Sequence, residues 1–144
     1  MMLIQCKWIF IVLSLFSCEP TKMNNDCKKC SVEIAIKASD VSNINEVLIK
    51  ELFCTGRKNC EANVEFMETY NEALFLCLQS KPDIFVQQLS QISNQAFILE
   101  QLKTPINDKI VPKQIIDKLL HSTAKRNDSY NKILTALRIA EKKQ

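Results

Sequence analysis

The chain has 144 residues, with 19 lysines and arginines against 16 aspartates and glutamates and a formal net charge of +3. This balance, with basic residues scattered and no basic stripe interleaved with aromatics, argues against a nucleic-acid partner. The single glycine, Gly56, and the single histidine, His121, exclude phosphate-cradling loops, dinucleotide fingerprints, nucleophile elbows and multi-histidine metal sites within one chain.

Lys7 is the only charge before Glu19, and Trp8 to Phe16 is an almost unbroken apolar run. A charged start followed by a short apolar stretch is the pattern of an export signal. The run is too short for a stable span, because a transmembrane helix needs about 20 apolar residues to cross a core of about 30 Å. Leu15-Phe16-Ser17-Cys18 then resembles the lipobox of bacterial lipoproteins, in which a small residue precedes an obligatory cysteine. Phe16 departs from the small residue common at its place, and the resemblance covers the signal segment alone. It implies that residues 1–17 are removed as a lipoprotein signal peptide and that Cys18 becomes an N-terminus whose thiol carries a diacylglyceryl group. Two or three acyl chains such as palmitate, at about 0.8 kcal/mol per buried methylene, would hold a small domain at a membrane durably. The resemblance thus implies a lipid-anchored, extracytoplasmic place in the bacterial cell envelope. Glu19 rather than aspartate after the cysteine favours the outer over the inner membrane of a Gram-negative periplasm. The residues by themselves leave Cys18 open as an ordinary cysteine beside a secretory cleavage site or in a buried helix.

Removing 1–17 takes one charge, Lys7, so 19 less one leaves 18 basic against 16 acidic residues and a charge of +2. About 125 residues remain, enough for one modest core but not for two domains. Residues 18–39 read as the lipidated N-terminus and a tether, polar from Glu19 to Lys29, and 40–144 as the folded domain. Val32 to Ala38 alternates apolar and polar, which argues for a strand, yet no later run offers a partner; the piece reads as an extended or a helical lead-in.

Ser42 or Asn43 is placed to cap a helix through Ile44, Val47, Leu48 and Leu52 up to Cys54, and Gly56 to terminate it. Glu61 to Ser80 is the longest helical pattern, with Val64, Met67, Tyr70, Leu74, Cys77 and Leu78 on one face and Pro82 as its stop. Shorter patterns follow: Ile84, Phe85, Leu89 and Ile92, then Phe97, Ile98 and Leu102, with Ser93-Asn94 separating two helices or interrupting one. Pro112 opens a helix carrying Ile115, Ile116, Leu119 and Leu120, and Asn127-Asp128 caps a last one with Tyr130, Ile133, Leu134, Leu137 and Ala140. The expected fold is all-α, a small irregular bundle of about five or six short amphipathic helices.

After Cys18 the cysteines are Cys27, Cys30, Cys54, Cys60 and Cys77. In an oxidising compartment they would pair, Cys54 with Cys60 across a short turn and Cys27 with Cys30, the crossed pairings staying open. Cys77 reads as a core residue. No histidine follows Cys30 to attach haem, no helix N-terminus activates the Cys27-x-x-Cys30 thiols, and oxidation competes with a four-cysteine zinc site. Neither a cofactor nor a metal is expected. Glu61, Glu65, Glu68 and Glu72 step by four, three and four, so their carboxylates share one helix face. That face is the solvated side of an amphipathic helix or a docking surface for a basic partner. The sequence contains no visible catalytic constellation. The expected function is a membrane-anchored lipoprotein that binds another protein or serves as an envelope accessory, an immunity-type protein that blocks a toxin being one version. The alternative is a small envelope enzyme using carboxylates on the Glu61 to Glu72 face.

Overall fold

The computed structural model describes residues 28–144. The signal segment, Cys18 and the tether as far as Cys27 lie outside the described residues. Among the described residues there are seven α-helices and no strand: α1 (Val32–Ser39), α2 (Glu46–Thr55), α3 (Val64–Ser80), α4 (Pro82–Leu89), α5 (Gln95–Leu102), α6 (Pro112–His121) and α7 (Asp128–Glu141). None of them is long and apolar enough to cross a membrane.

The helices start where short polar side chains meet orphan N–H groups. The Ser31 hydroxyl accepts from the Ile34 N–H, and the Asn45, Asn63 and Asn127 side chains accept from Leu48, Phe66 and Tyr130 at 3.0, 3.1 and 2.9 Å. Pro82 and Pro112 occupy first-turn positions of α4 and α6, where a missing N–H costs nothing. Two starts differ from expectation. Asn45 caps α2 in place of Ser42 or Asn43, because Val41–Asn43 closes into its own 3₁₀ turn, headed by Asp40, whose carboxylate accepts from the Ser42 N–H at 3.0 Å. Likewise α3 begins after its Asn63 cap and not at Glu61, which follows a 3₁₀ turn at Lys58–Cys60.

Val32 to Ala38 is helical. Its alternation is incidental, since Ala35 and Ala38, three apart, are the fully buried pair while Ile36 is exposed. The two methyl side chains let α1 lie close along α3, and the Cys77 thiol approaches the Ala38 carbonyl at 3.9 Å. The helical body therefore begins at Val32 and not at residue 40.

The core gathers around α3, which packs on α1, α2, α4, α5 and α6. Phe53, Phe66, Tyr70, Phe75, Phe85, Leu74 and Leu78 are fully buried or nearly so. Phe53 meets Phe85 edge to face with centroids 4.8 Å apart, and Phe66 stacks on Tyr70 at 5.1 Å. At the far side Arg126 caps the end of α6: its guanidinium donates to the Leu119 and Leu120 carbonyls at 3.3 and 2.8 Å and lies 4.2 Å from the Tyr130 ring centre.

Candidate functional site

The four glutamates expected to share a face are divided by the Asn63 cap. Glu61 sits in the turn before α3, exposed; Glu65 and Glu68 are exposed on the helix; Glu72 is half buried and accepts from the Asn107 side chain at 3.2 Å. Val64, 66% exposed, stands among them, one turn before Glu68. Exposure of so large an apolar side chain inside an acidic surface gives the face an anchor as well as a charge.

The electrostatic setting of this face differs from that of the other helices. Ion pairs along or just past the helix tie Glu33 to Lys37, Glu46 to Lys50, Glu100 to Lys103, Asp117 to Lys113 and Asp128 to Lys132. The α3 sequence contains no lysine or arginine. Among the described residues Glu61, Glu65, Glu68 and Glu72 make no ion pair; the one cation lining the crevice beside Glu72 is Lys109, so their charge is only partly offset at the surface.

The lower end of the face runs into a narrow crevice of about 140 Å³, bounded by Glu72, Gln79, Asn107, Lys109 and Gln114 with Phe75 and Ile115 beneath. One buried amide builds its wall. Asn71, fully buried, donates to the Gln101 and Thr104 carbonyls at 3.0 and 3.2 Å and accepts from the Ile106 N–H at 3.0 Å, which folds the chain after α5 back over α3. Asn107 is thereby delivered to Glu72, and Ile106, 52% exposed, is set beside the acidic face. Sequence reading passed over Asn71; a polar residue one position from Tyr70 on the apolar side of an amphipathic helix was the available signal.

A larger depression, about 720 Å³, lies elsewhere, beside the Val41–Asn43 turn and the start of α2. It is shallow, and two of its three charges are already engaged, Lys37 with Glu33 and Glu46 with Lys50 and the Gln88 side chain, which leaves Glu51 exposed at its edge. A carboxylate acid/base pair needs one member shielded from water while the other stays wet. Glu65 and Glu68 both stand in solvent.

The cysteines pair otherwise than expected. Cys30 bonds to Cys60, Cα atoms 5.5 Å apart, which is one of the crossed pairings and displaces both Cys54–Cys60 and Cys27–Cys30. The reason is the position of α1: running alongside α3, it brings its own N-terminal flank to the turn that precedes α3. Cys54 is also disulfide-bonded. Cys77 is a free, fully buried thiol, pushed up to about 12 by burial. Cys18 and Cys27 lie outside the described residues.

Gly56 ends α2 as expected, but with φ −77° and no left-handed backbone. It is glycine because the Tyr70 ring lies against its Cα, where a Cβ would collide with the phenol. Tyr70 is fully enclosed there; its hydroxyl has no hydrogen-bond partner among the described residues, and burial drives its ionisation far above the usual phenol range. His121, exposed at the end of α6, sits with Nδ1 2.7 Å from the Asp117 carbonyl, a local helix-end contact.

Comparison of the chain with protein-family models, with curated proteins and with solved structures gives no match.

Proposed function

We propose that this chain is an extracytoplasmic lipoprotein held to a membrane of the bacterial cell envelope through lipid at Cys18, and that its helical domain captures a basic protein partner on the α3 face. The carrying observation is that α3 presents Glu65, Glu68 and Glu72, with Glu61 before them, and contains no cation to pair with them. Charge of one sign left unpaired costs the free protein some self-repulsion and speeds encounter with a partner of the opposite sign. Val64 and Ile106, exposed on and beside that face, supply the apolar contact that a charged rim alone lacks. Three disulfide-bonded cysteines, Cys30, Cys54 and Cys60, fit an oxidising compartment. An accessory or immunity-type protein that works by covering its target needs no more than this.

The test is to neutralise Glu65 and Glu68 together, as Glu65→Gln with Glu68→Gln, and to compare partner retention from native envelope extracts. Retention should fall about tenfold and the wild-type interaction should weaken with salt, while thermal unfolding is unchanged because both side chains are exposed. Undiminished retention removes the acidic face from the reading. Anchoring is tested separately: Cys18→Ala should abolish palmitate incorporation and accumulate uncut precursor, and full-length protein free of lipid in the cytosol would overturn it.

A further inference from the structure

We infer that the surface where residue 28 enters the domain is an electrostatic landing site for an anionic phospholipid bilayer. Lys28 and Lys29 precede Cys30, and Arg57 and Lys58 shortly precede Cys60, so the Cys30–Cys60 bond draws two basic pairs from separate parts of the chain into one place. Thr55 locks them there. Its hydroxyl donates to the Lys28 carbonyl at 2.6 Å and accepts from the Ser31 N–H at 2.7 Å, and its carbonyl accepts from the Cys30 N–H at 3.0 Å. The lysines at 28, 29 and 58 are exposed, and Arg57 is half buried.

The neighbouring carboxylates do not cancel this charge. Glu33 is 3.8 Å from Lys28 but closer, at 3.0 Å, to Lys37, and Glu61 is the next acidic residue after the pair. Among the described residues Lys29, Arg57 and Lys58 make no ion pair, whereas Lys37, Lys50, Lys103, Lys113 and Lys132 each have one. Lys118, Lys125 and Lys142 make none either among the described residues; what sets this patch apart is its place, where the disulfide and Thr55 hold it beside residue 28 and the covalent path from the anchor arrives.

That path identifies the occupant. On the lipid-anchored reading above, on which the location rests, nine residues lie between Cys18 and Lys28, and the ten steps reach at most about 35 Å fully extended. The four cations are thus held permanently near lipid headgroups, at an effective concentration that makes weak attraction count. Each lysine or arginine near an anionic surface raises partitioning about fivefold, and the attraction extends about 8 Å at physiological salt. Landing this end of the domain would also turn α3, which starts at the patch, so that its acidic face runs outward along the helix.

The experiment uses oxidised protein of residues 19–144, which contains every core residue from Cys30 to Ala140 and lacks Cys18, floated with phosphatidylcholine vesicles with and without phosphatidylglycerol at low salt. Binding to the anionic vesicles alone is expected. Lys28→Gln, Lys29→Gln and Lys58→Gln together should lower it about a hundredfold with unfolding temperature unchanged. The control triple Lys118→Gln, Lys125→Gln and Lys142→Gln should change it less than about fivefold. The inference is overturned by no anionic binding, by equal loss in both triples, or by inorganic phosphate competing beyond chloride of equal ionic strength, which would mark a free-phosphate site. Because the protein lacks Cys18, none of these outcomes depends on acylation, which palmitate labelling of the full chain reads independently.

Discussion

The two ends of the structure that grip α3 are closed by different chemistry. Before α3, residues 28–60 are fastened by the Cys30–Cys60 bond, with Thr55 and the Gly56–Tyr70 contact packed around it. Across the middle of α3, the segment from Gln101 to Ile106 is held by one amide, Asn71. A disulfide stabilises chiefly by restricting the unfolded chain, and it acts whatever the local solvent. A buried amide helps only while it stays dry, and its three partners fail together when it is lost. The end nearest the proposed anchor is therefore covalently hardened, and the wall of the crevice beside Glu72 depends on continued burial.

The strongest way to break this contrast is to remove the bond. Cys30 and Cys60 are thirty residues apart, and closing a loop of that size stabilises by about 3.5 kcal/mol in the chain-entropy account. Cys30→Ser with Cys60→Ser should lose about that much in denaturant unfolding, and peptide mapping of unreduced wild type should recover Cys30 joined to Cys60. Next comes Asn71→Ala, which strands two carbonyls and one N–H and should cost about 3 kcal/mol. Hydrogen exchange separates the two variants: the serine pair should loosen residues 28–60, and the alanine should expose Ile106 and its neighbours first.

Much of this architecture is legible in the residues, and the parts that are not have a common cause. The apolar spacing along α3, α6 and α7, the prolines at 82 and 112 and the Asn127 cap act within a turn or two of themselves, so the chain displays them directly. Gly56 reads as a helix end, yet its necessity comes from Tyr70, fourteen positions later and on another helix. The Cys30–Cys60 pairing depends in the same way on α1 lying beside α3, which the alternation of Val32 to Ala38 disguises because alanine can be core without looking apolar enough. At the candidate site, the Glu65 and Glu68 face is plain in the spacing. Its lack of ion pairs is visible only once the other helices are seen to pair their charges, and the tie from Glu72 to Asn107 requires the fold made by Asn71.

Smaller effects sharpen the comparison at the Gly56–Tyr70 contact. Gly56→Ala drives a methyl group into the Tyr70 ring and should cost about 2 kcal/mol, the usual range for overpacking. Tyr70→Phe should go the other way by about 1 kcal/mol, because it removes a fully buried hydroxyl with no partner among the described residues and leaves the ring in place. A ring needed only for packing predicts these opposite signs; destabilisation by Tyr70→Phe would show that the hydroxyl is satisfied in solution and that the hardened end has a polar pin of its own.

The last effect appears only at high pH. Burial raises the Cys77 thiol from 9.0 to about 12, so the folded state keeps its proton where the unfolded chain has already lost it. Stability from this group is complete below pH 9 and declines as pH rises from there through 12, by about 1 kcal/mol at pH 10. Tyr70, raised in the same direction by burial, adds to the decline at still higher pH. Replacing the thiol as Cys77→Val should flatten the first part of the alkaline loss while leaving stability at pH 7 within about 1.5 kcal/mol, since a small apolar side chain fills nearly the same space. An unchanged alkaline slope in that variant would place the thiol in contact with water, and with it the seam where α1 meets α3.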